Sequence, residues 1–267
     1  MIPIGERING MFLDMKKAIA DKDKKPVQEL ALRQKKAGAA YLDCNVGTAS
    51  DDQEAAMRWL VETIQEATDT PIAIDSQKLN VIKAGLEAVD NLKGCLVNSC
   101  SGDEEKLDVY LPVCVEKNAS LIVLTMTKEG VPQSVEERVE IAATIIGKAA
   151  EYGMESARLF IDPIILPINV PGAQAQPGFI MDALSQIRIM TDPPVHITCG
   201  LSNISQGTKE RSIINRTFLA MAAAVGMDSA ILDVLDTDLM DAWITAEMII
   251  NKQIYSDFFL KAARMNM

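Results

Sequence analysis

The chain alternates short apolar runs with longer amphipathic stretches, and several apolar runs stop on a polar residue. Thr70 to Ser76 shows it best: Pro71-Ile72-Ala73-Ile74 ends on Asp75. Tyr41-Leu42 ends on Asp43-Cys44-Asn45, Cys95-Leu96-Val97 on Asn98, Leu159-Phe160-Ile161 on Asp162, and Ala230-Ile231-Leu232 on Asp233. Continuous apolar runs of this length fit parallel strands buried on both faces. The predicted strands are 2–5, 39–44, 71–75, 94–98, 120–126, 157–162, 195–198 and 229–233. Helical spacing predicts helices over 26–36, 51–68, 79–89, 103–117, 134–152, 179–190, 212–225, 237–250 and 255–264. Ser134 and Glu137 have the spacing of a capping box.

Four helix-to-strand junctions share an entry pattern. Gly38, Asn118, Gly153 and Gly226 each close a helix shortly before the next strand. The successive strand ends Glu6, Asp43, Asp75, Asn98, Thr125, Asp162, Asn203 and Asp233 lie 23 to 41 residues apart. Eight βα units of this length make a single-domain (β/α)8 TIM barrel over 1–267. A doubly wound sheet would need a phosphate-cradling G-x-G-x-x-G after the first strand, and Gly5-Glu6-Arg7-Ile8-Asn9-Gly10 is not that.

A parallel barrel keeps its chemistry at the carboxyl ends of its strands. Side chains alternate along a strand, so Asp75 shares a face with Ala73, Asp43 with Asn45, and Asp233 with Ile231. Cys44 then points toward a covering helix. Asp75, Asn98 and Asp162 together offer carboxylate acceptors and an amide. That mix suits a flat heterocycle bearing an amino group, a ring N–H and a carbonyl, such as a 2-amino-4-oxopyrimidine. Taken singly, each polar strand end could instead cap a loop. Two loops stand out: 163–178, rich in Pro and Gly, reads as a lid or partner surface, and 201–211 is dense in hydrogen-bonding groups.

Composition narrows the partners. The net charge is −11, and no basic run offsets it, which argues against nucleic acid. No apolar stretch approaches a membrane span, and the start of the chain is not a signal peptide. A cytoplasmic protein with reduced thiols is expected from five cysteines without a C-x-x-C pair. His196 is the sole histidine and reads as a packed or hydrogen-bonded strand residue. Neither a Ser–His triad nor a bound metal is expected, because Cys95, Cys100 and Cys199 lack the paired spacing of a zinc site. Methionines such as Met221, Met227, Met240 and Met248 read as core filler.

The segments IGERING at 4–10, YLDCNVG at 41–47, AIDS at 73–76, VNSCSG at 97–102, IDPIILPINV at 161–170, GLSNISQ at 200–206 and INRTFLAMA at 214–222 carry a resemblance spanning nearly the whole chain. It resembles the pterin-binding methyltransferases that act between methyltetrahydrofolate and a corrinoid protein. The resemblance implies a (β/α)8 barrel, a homodimer, methyltetrahydrofolate or tetrahydrofolate as substrate, and cobalamin carried by a separate corrinoid protein. It implies that Asp75, Asn98 and Asp162 hold the pterin edge and that Asn203 reaches N5, making Asn203 and Asp162 the catalytic candidates. Gln206 and Arg211 would lie nearby, Arg211 toward the outer folate, and Ile231 would form an apolar wall. Glu6, Asp43 and Asn45 are additional candidates. Dihydropteroate synthase, a relative on the same barrel, is the alternative, as is a barrel that binds pterin without catalysis. The acidic run Asp233, Asp236, Asp238 and Asp241 disfavours the synthase, which must bind a pyrophosphate leaving group.

Overall fold

A computed structural model describes residues 1–90 and 94–265. Eight parallel strands form the sheet: β1 (Ile2–Asn9), β2 (Tyr41–Asn45), β3 (Ile72–Asp75), β4 (Cys95–Ser101), β5 (Ser120–Leu124), β6 (Leu159–Asp162), β7 (His196–Ile197) and β8 (Ser229–Leu232). From β1 to β7 each strand pairs with the next, and β1 also pairs with β8. Closure between β7 and β8 runs through Asp228 N–H to the Ile197 carbonyl at 3.3 Å and Ile231 N–H to the Cys199 carbonyl at 2.8 Å. The architecture is a single-domain (β/α)8 barrel.

The helices are α1 (Leu13–Ala20), α2 (Lys24–Lys36), α3 (Gln53–Ala67), α4 (Leu79–Ala88), α5 (Glu104–Glu116), α6 (Val135–Glu151), α7 (Gln176–Ile187), α8 (Arg211–Ala224), α9 (Thr237–Ile249) and α10 (Phe259–Met265). Gly38, Asn118, Gly153 and Gly226 all have positive φ, from 54° to 117°. The left-handed residue stops each helix and turns the chain directly into the next strand. The capping box of α6 forms with both of its bonds, Glu137 N–H to Ser134 Oγ at 3.1 Å and Ser134 N–H to Glu137 Oε2 at 3.4 Å.

Four expectations are corrected, one of them that Met221 fills the core, since it is exposed on α8. The first strand does not stop at residue 5. An irregularity between Gly5 and Ile8 lets β1 continue to Asn9, with Ile8 fully buried beyond polar Glu6 and Arg7. Helix α1 lies between the first strand and residue 26, where the sequence reading predicted no element. It buries Met15, Ala18 and Ile19, a one-face set that its lysines obscure. Helix α7 begins at Gln176, within the stretch read as loop, and ends earlier than expected.

Two apolar layers hold the barrel. The outer sheath packs strands against helices and includes Cys44, as alternation requires. The inner plug is Ile4, Ala73, Leu96, Ile122 and Phe160, flanked by Ile2, Tyr41, Leu124 and Ile231. At its base His196 Nδ1 lies 3.0 Å from Asp228 Oδ2, and its ring sits 4.6 Å from that of Phe160. The histidine is thus a packed, hydrogen-bonded strand residue.

Candidate active site

The site follows from the plug by a two-residue step. In a (β/α)8 barrel each interior layer comes from alternate strands. Tyr41, Leu96, Phe160 and Ile231 are the inward residues of the even strands. Two residues on stand Asp43, Asn98, Asp162 and Asp233. On the odd strands, Ile4, Ala73 and Ile122 lead to Glu6, Asp75 and Leu124. The apolar interior therefore gives way to a polar layer at the carboxyl ends of the strands.

The strand register explains which of these meet. Asn45, Asp75 and Asn98 are successive cross-strand partners. Asn45 Nδ2 donates to Asp75 Oδ2 at 2.6 Å, and Asn45 Oδ1 accepts the Gly47 N–H at 2.6 Å. Asn98 Nδ2 also donates to Asp43 Oδ1 at 3.0 Å, reaching diagonally across β3, where Ala73 is the cross-strand partner of Asp43. Asp162 Oδ1 accepts the Ile164 N–H at 2.8 Å, and the Gly200 N–H also donates to this carboxylate.

Burial dominates the electrostatics of these acids, because removal from water disfavours the charged form. It raises Asp162 to about 7 and Asp75 to about 6, the latter against the opposing bond from Asn45. Asp43 is pushed up by burial and then by the charge of Asp75. Glu6 is also raised, first by burial, while its bond from Ser202 opposes the rise.

The loop after β7 forms the other side of the mouth. Ser202 Oγ donates to Glu6 Oε1 at 2.9 Å, tying this loop to β1. Arg211, opening α8, binds back to Ser205 Oγ at 3.2 Å and to the Ser202 carbonyl at 3.3 Å. Asn203 and Gln206 are exposed on the loop between these anchors. A Cβ added to Gly200 would lie 3.0 Å from Asn203 Nδ2, so the missing side chain makes room for the amide. Ile231 is half-buried against the plug and bridges to Gly200.

Ser202 and Arg138 carry structural roles that the sequence reading did not identify. Arg138 is fully buried on α6, and its Nε and Nη2 reach the Pro163 carbonyl at 3.2 Å and Gln176 Oε1 at 2.5 Å. It clamps both ends of the Pro-rich segment that follows Asp162. Ser202 could be suspected only as the neighbour of Asn203, and no pattern in α6 marks Arg138 as buried.

The five cysteines are free and buried. Burial raises the thiols of Cys44, Cys95, Cys100, Cys114 and Cys199, which keeps them protonated. Among the described residues, no group of three His, Cys, Asp or Glu is arranged to hold a metal ion. Among the described residues, no helix is long and apolar enough to cross a membrane. A cleft of about 700 Å³ opens beside the mouth, between the start of α5 and the β5–α6 loop. Its lining includes Asp103, Glu105, Glu129 and Glu137 but none of the inward strand-end residues, so it is separate from the polar layer.

Known proteins share this fold. A methylcorrinoid:tetrahydrofolate methyltransferase of Eubacterium limosum is 32% identical over 99% of this chain and 96% of its own length. A methionine synthase of Mycobacterium leprae is 28% identical over 87% of this chain, which corresponds to only 20% of that longer protein. A dihydropteroate synthase of Coxiella burnetii, solved with pteroic acid, shares the fold with a TM-score of 0.68 at 12% identity, covering 94% of this chain and 93% of its own. Residues 12–233 match the family described as pterin binding enzymes, and the chain belongs to that family.

Proposed function

We propose that the protein transfers a methyl group between N5 of tetrahydrofolate and the cobalt of a corrinoid carried by a partner protein. The observation that carries this reading is the polar layer above the plug, with Asp75, Asn98 and Asp162 converging on the barrel mouth. The full-length similarity to a methylcorrinoid:tetrahydrofolate methyltransferase supports it. In this reading Asp75, Asn98 and Asp162 bind the pterin edge, and Ile231 packs against the ring. Gln206 and Arg211 lie close by, Arg211 toward the outer folate.

The corrinoid supplies a cobalt centre that takes or gives the methyl group. The chain's own task is at N5, where the amine must leave as a neutral group. N5 therefore has to be protonated or strongly hydrogen-bonded as its bond to carbon breaks. Asn203 provides an amide that can donate or accept as N5 changes state. A donor aimed at charge that develops only in the transition state accelerates the step. Glu6, bonded to the residue beside Asn203 and held toward its protonated form by burial, links this loop to a carboxyl group. Asp162, raised to about 7, can exchange a proton near neutral pH.

A homodimer in the cytoplasm belongs to the same reading. Exposed Phe179 and Ile189 at α7, with Ile213 and Met221 on α8, support self-association. The synthase alternative lacks comparable support. After β8, Asp236 caps α9 by accepting the Leu239 N–H, and Arg216 is paired with Asp238 at 3.1 Å.

The test is anaerobic mixing of the protein with methyltetrahydrofolate and free cob(I)alamin, followed by visible absorbance. Growth of the methylcobalamin spectrum is expected. Absence of both transfer and folate binding would overturn the reading, and synthase substrates would then be tried.

A further inference from the structure

The two amide–carboxylate pairs in the mouth have a defined direction. Asn45 is held at both ends: its oxygen takes the Gly47 N–H and its NH2 faces Asp75, each at 2.6 Å. Turning this amide over would set its NH2 against an N–H and its oxygen against a carboxylate. Asp75 therefore has one oxygen engaged and keeps Oδ1 for a ligand. Asn98 has its NH2 on Asp43 Oδ1 at 3.0 Å, which leaves its carbonyl as the free end. A proton on Asp43 need not reverse this, since a carboxylic acid retains a carbonyl oxygen. Asp162 has Oδ1 on the Ile164 N–H, and when ionised it offers acceptors alone.

We propose that Asp43 and Asn45 are positioning residues that set the polarity of the recognition edge, so that Asn98 and the ionised forms of Asp75 and Asp162 present acceptors only. This rests on the pterin reading above and deepens it. An acceptor-only edge selects ligand edges made of N–H groups. The 2-amino group and N3–H are donors in every 2-amino-4-oxopterin. N8 differs: it carries a hydrogen in the tetrahydro ring and only a lone pair in the fully oxidised ring. The site therefore discriminates by oxidation state, favouring tetrahydrofolate over folic acid.

Ala73 makes the arrangement possible. Asp43 and Asn98 lie on strands separated by β3, where the cross-strand partner of Asp43 is Ala73, a methyl group, and that of Asn98 is Asp75. A larger inward side chain would stand between carboxylate and amide.

The experiment is anaerobic calorimetry of tetrahydrofolate and folic acid with the wild type and with Asp43→Asn. A missing N–H facing a fixed acceptor costs at least about tenfold in affinity, so the wild type should prefer tetrahydrofolate by that factor or more. In Asp43→Asn the Asn98 amide is free to turn and donate to a lone pair. The preference should then shrink by about fivefold or more, a change set by the hydrogen bond lost and regained. A purely structural role would weaken both ligands together, and an unchanged ratio would overturn the inference. Asp43→Ala, read in the same way, serves if the first variant does not fold. Binding of neither ligand by the wild type would instead overturn the pterin reading itself.

Discussion

Asp162→Asn tests whether the buried acid at the end of β6 is held partly against its own ionisation. Asp162 is 7% exposed, and burial raises it from 3.8 to about 7. In the unfolded chain it ionises near 3.8, so between those values the folded state alone keeps the proton. The contribution to stability is therefore complete below about pH 4, declines as the pH climbs, and is gone above about 7. A gap of about three pH units at 1.36 kcal/mol each makes the full decline about 4 kcal/mol. Asparagine has no such ionisation, and its Oδ1 can still accept the Ile164 N–H. Thermal melts of both proteins from pH 4.5 to 8 provide the assay. The variant should gain on the wild type as pH rises, by about 5–10 °C across the range for a domain of this size. The other raised acids, Glu6, Asp43 and Asp75, affect both curves and drop out of the difference. A difference that stays constant with pH would refute the account. Folate should bind the variant more weakly even where its melt is higher, because a neutral amide is a poorer partner for N–H donors than a carboxylate.

Asn203→Ala should lower turnover by about tenfold to a hundredfold, the range for a hydrogen bond to a charged group. Folate affinity should change far less, and equal losses in single-turnover kinetics and calorimetry would contradict a role at N5. Asp75→Ala should instead weaken folate binding by about tenfold or more, and unchanged affinity would remove it from the pterin edge. Gly200→Ala places a methyl 3.0 Å from Asn203 Nδ2, so it should reduce turnover while leaving the melting temperature nearly unchanged. Wild-type turnover in that variant would show that the loop yields freely.

The architecture was legible because its determinants are local. Each strand is a short apolar run, and four helix exits carry residues suited to left-handed backbone. Inward residues such as Asp75 and Asn98 could be identified because alternation fixes the face of a strand. What escaped the sequence reading depends on through-space partners. Nothing near Glu6 says that Ser202 will meet it, 196 positions away. Arg138 looks like one more surface cation on an amphipathic helix, yet it is buried among neutral oxygens. The polar ends of β1 also hid the true length of that strand, because polar residues at a barrel mouth interrupt the apolar pattern just where the site begins.

The tight junctions at Gly38, Asn118, Gly153 and Gly226 all lie on the face opposite the mouth. Shape and chemistry are thus written at opposite poles of the same molecule, with little shared vocabulary between them. Sequence can drift far at one pole without erasing the other. A synthase only 12% identical can therefore retain the same outline with a TM-score of 0.68. For protein engineering, the consequence is that the mouth loops form an editable surface. The junctions beneath them are the part to leave alone.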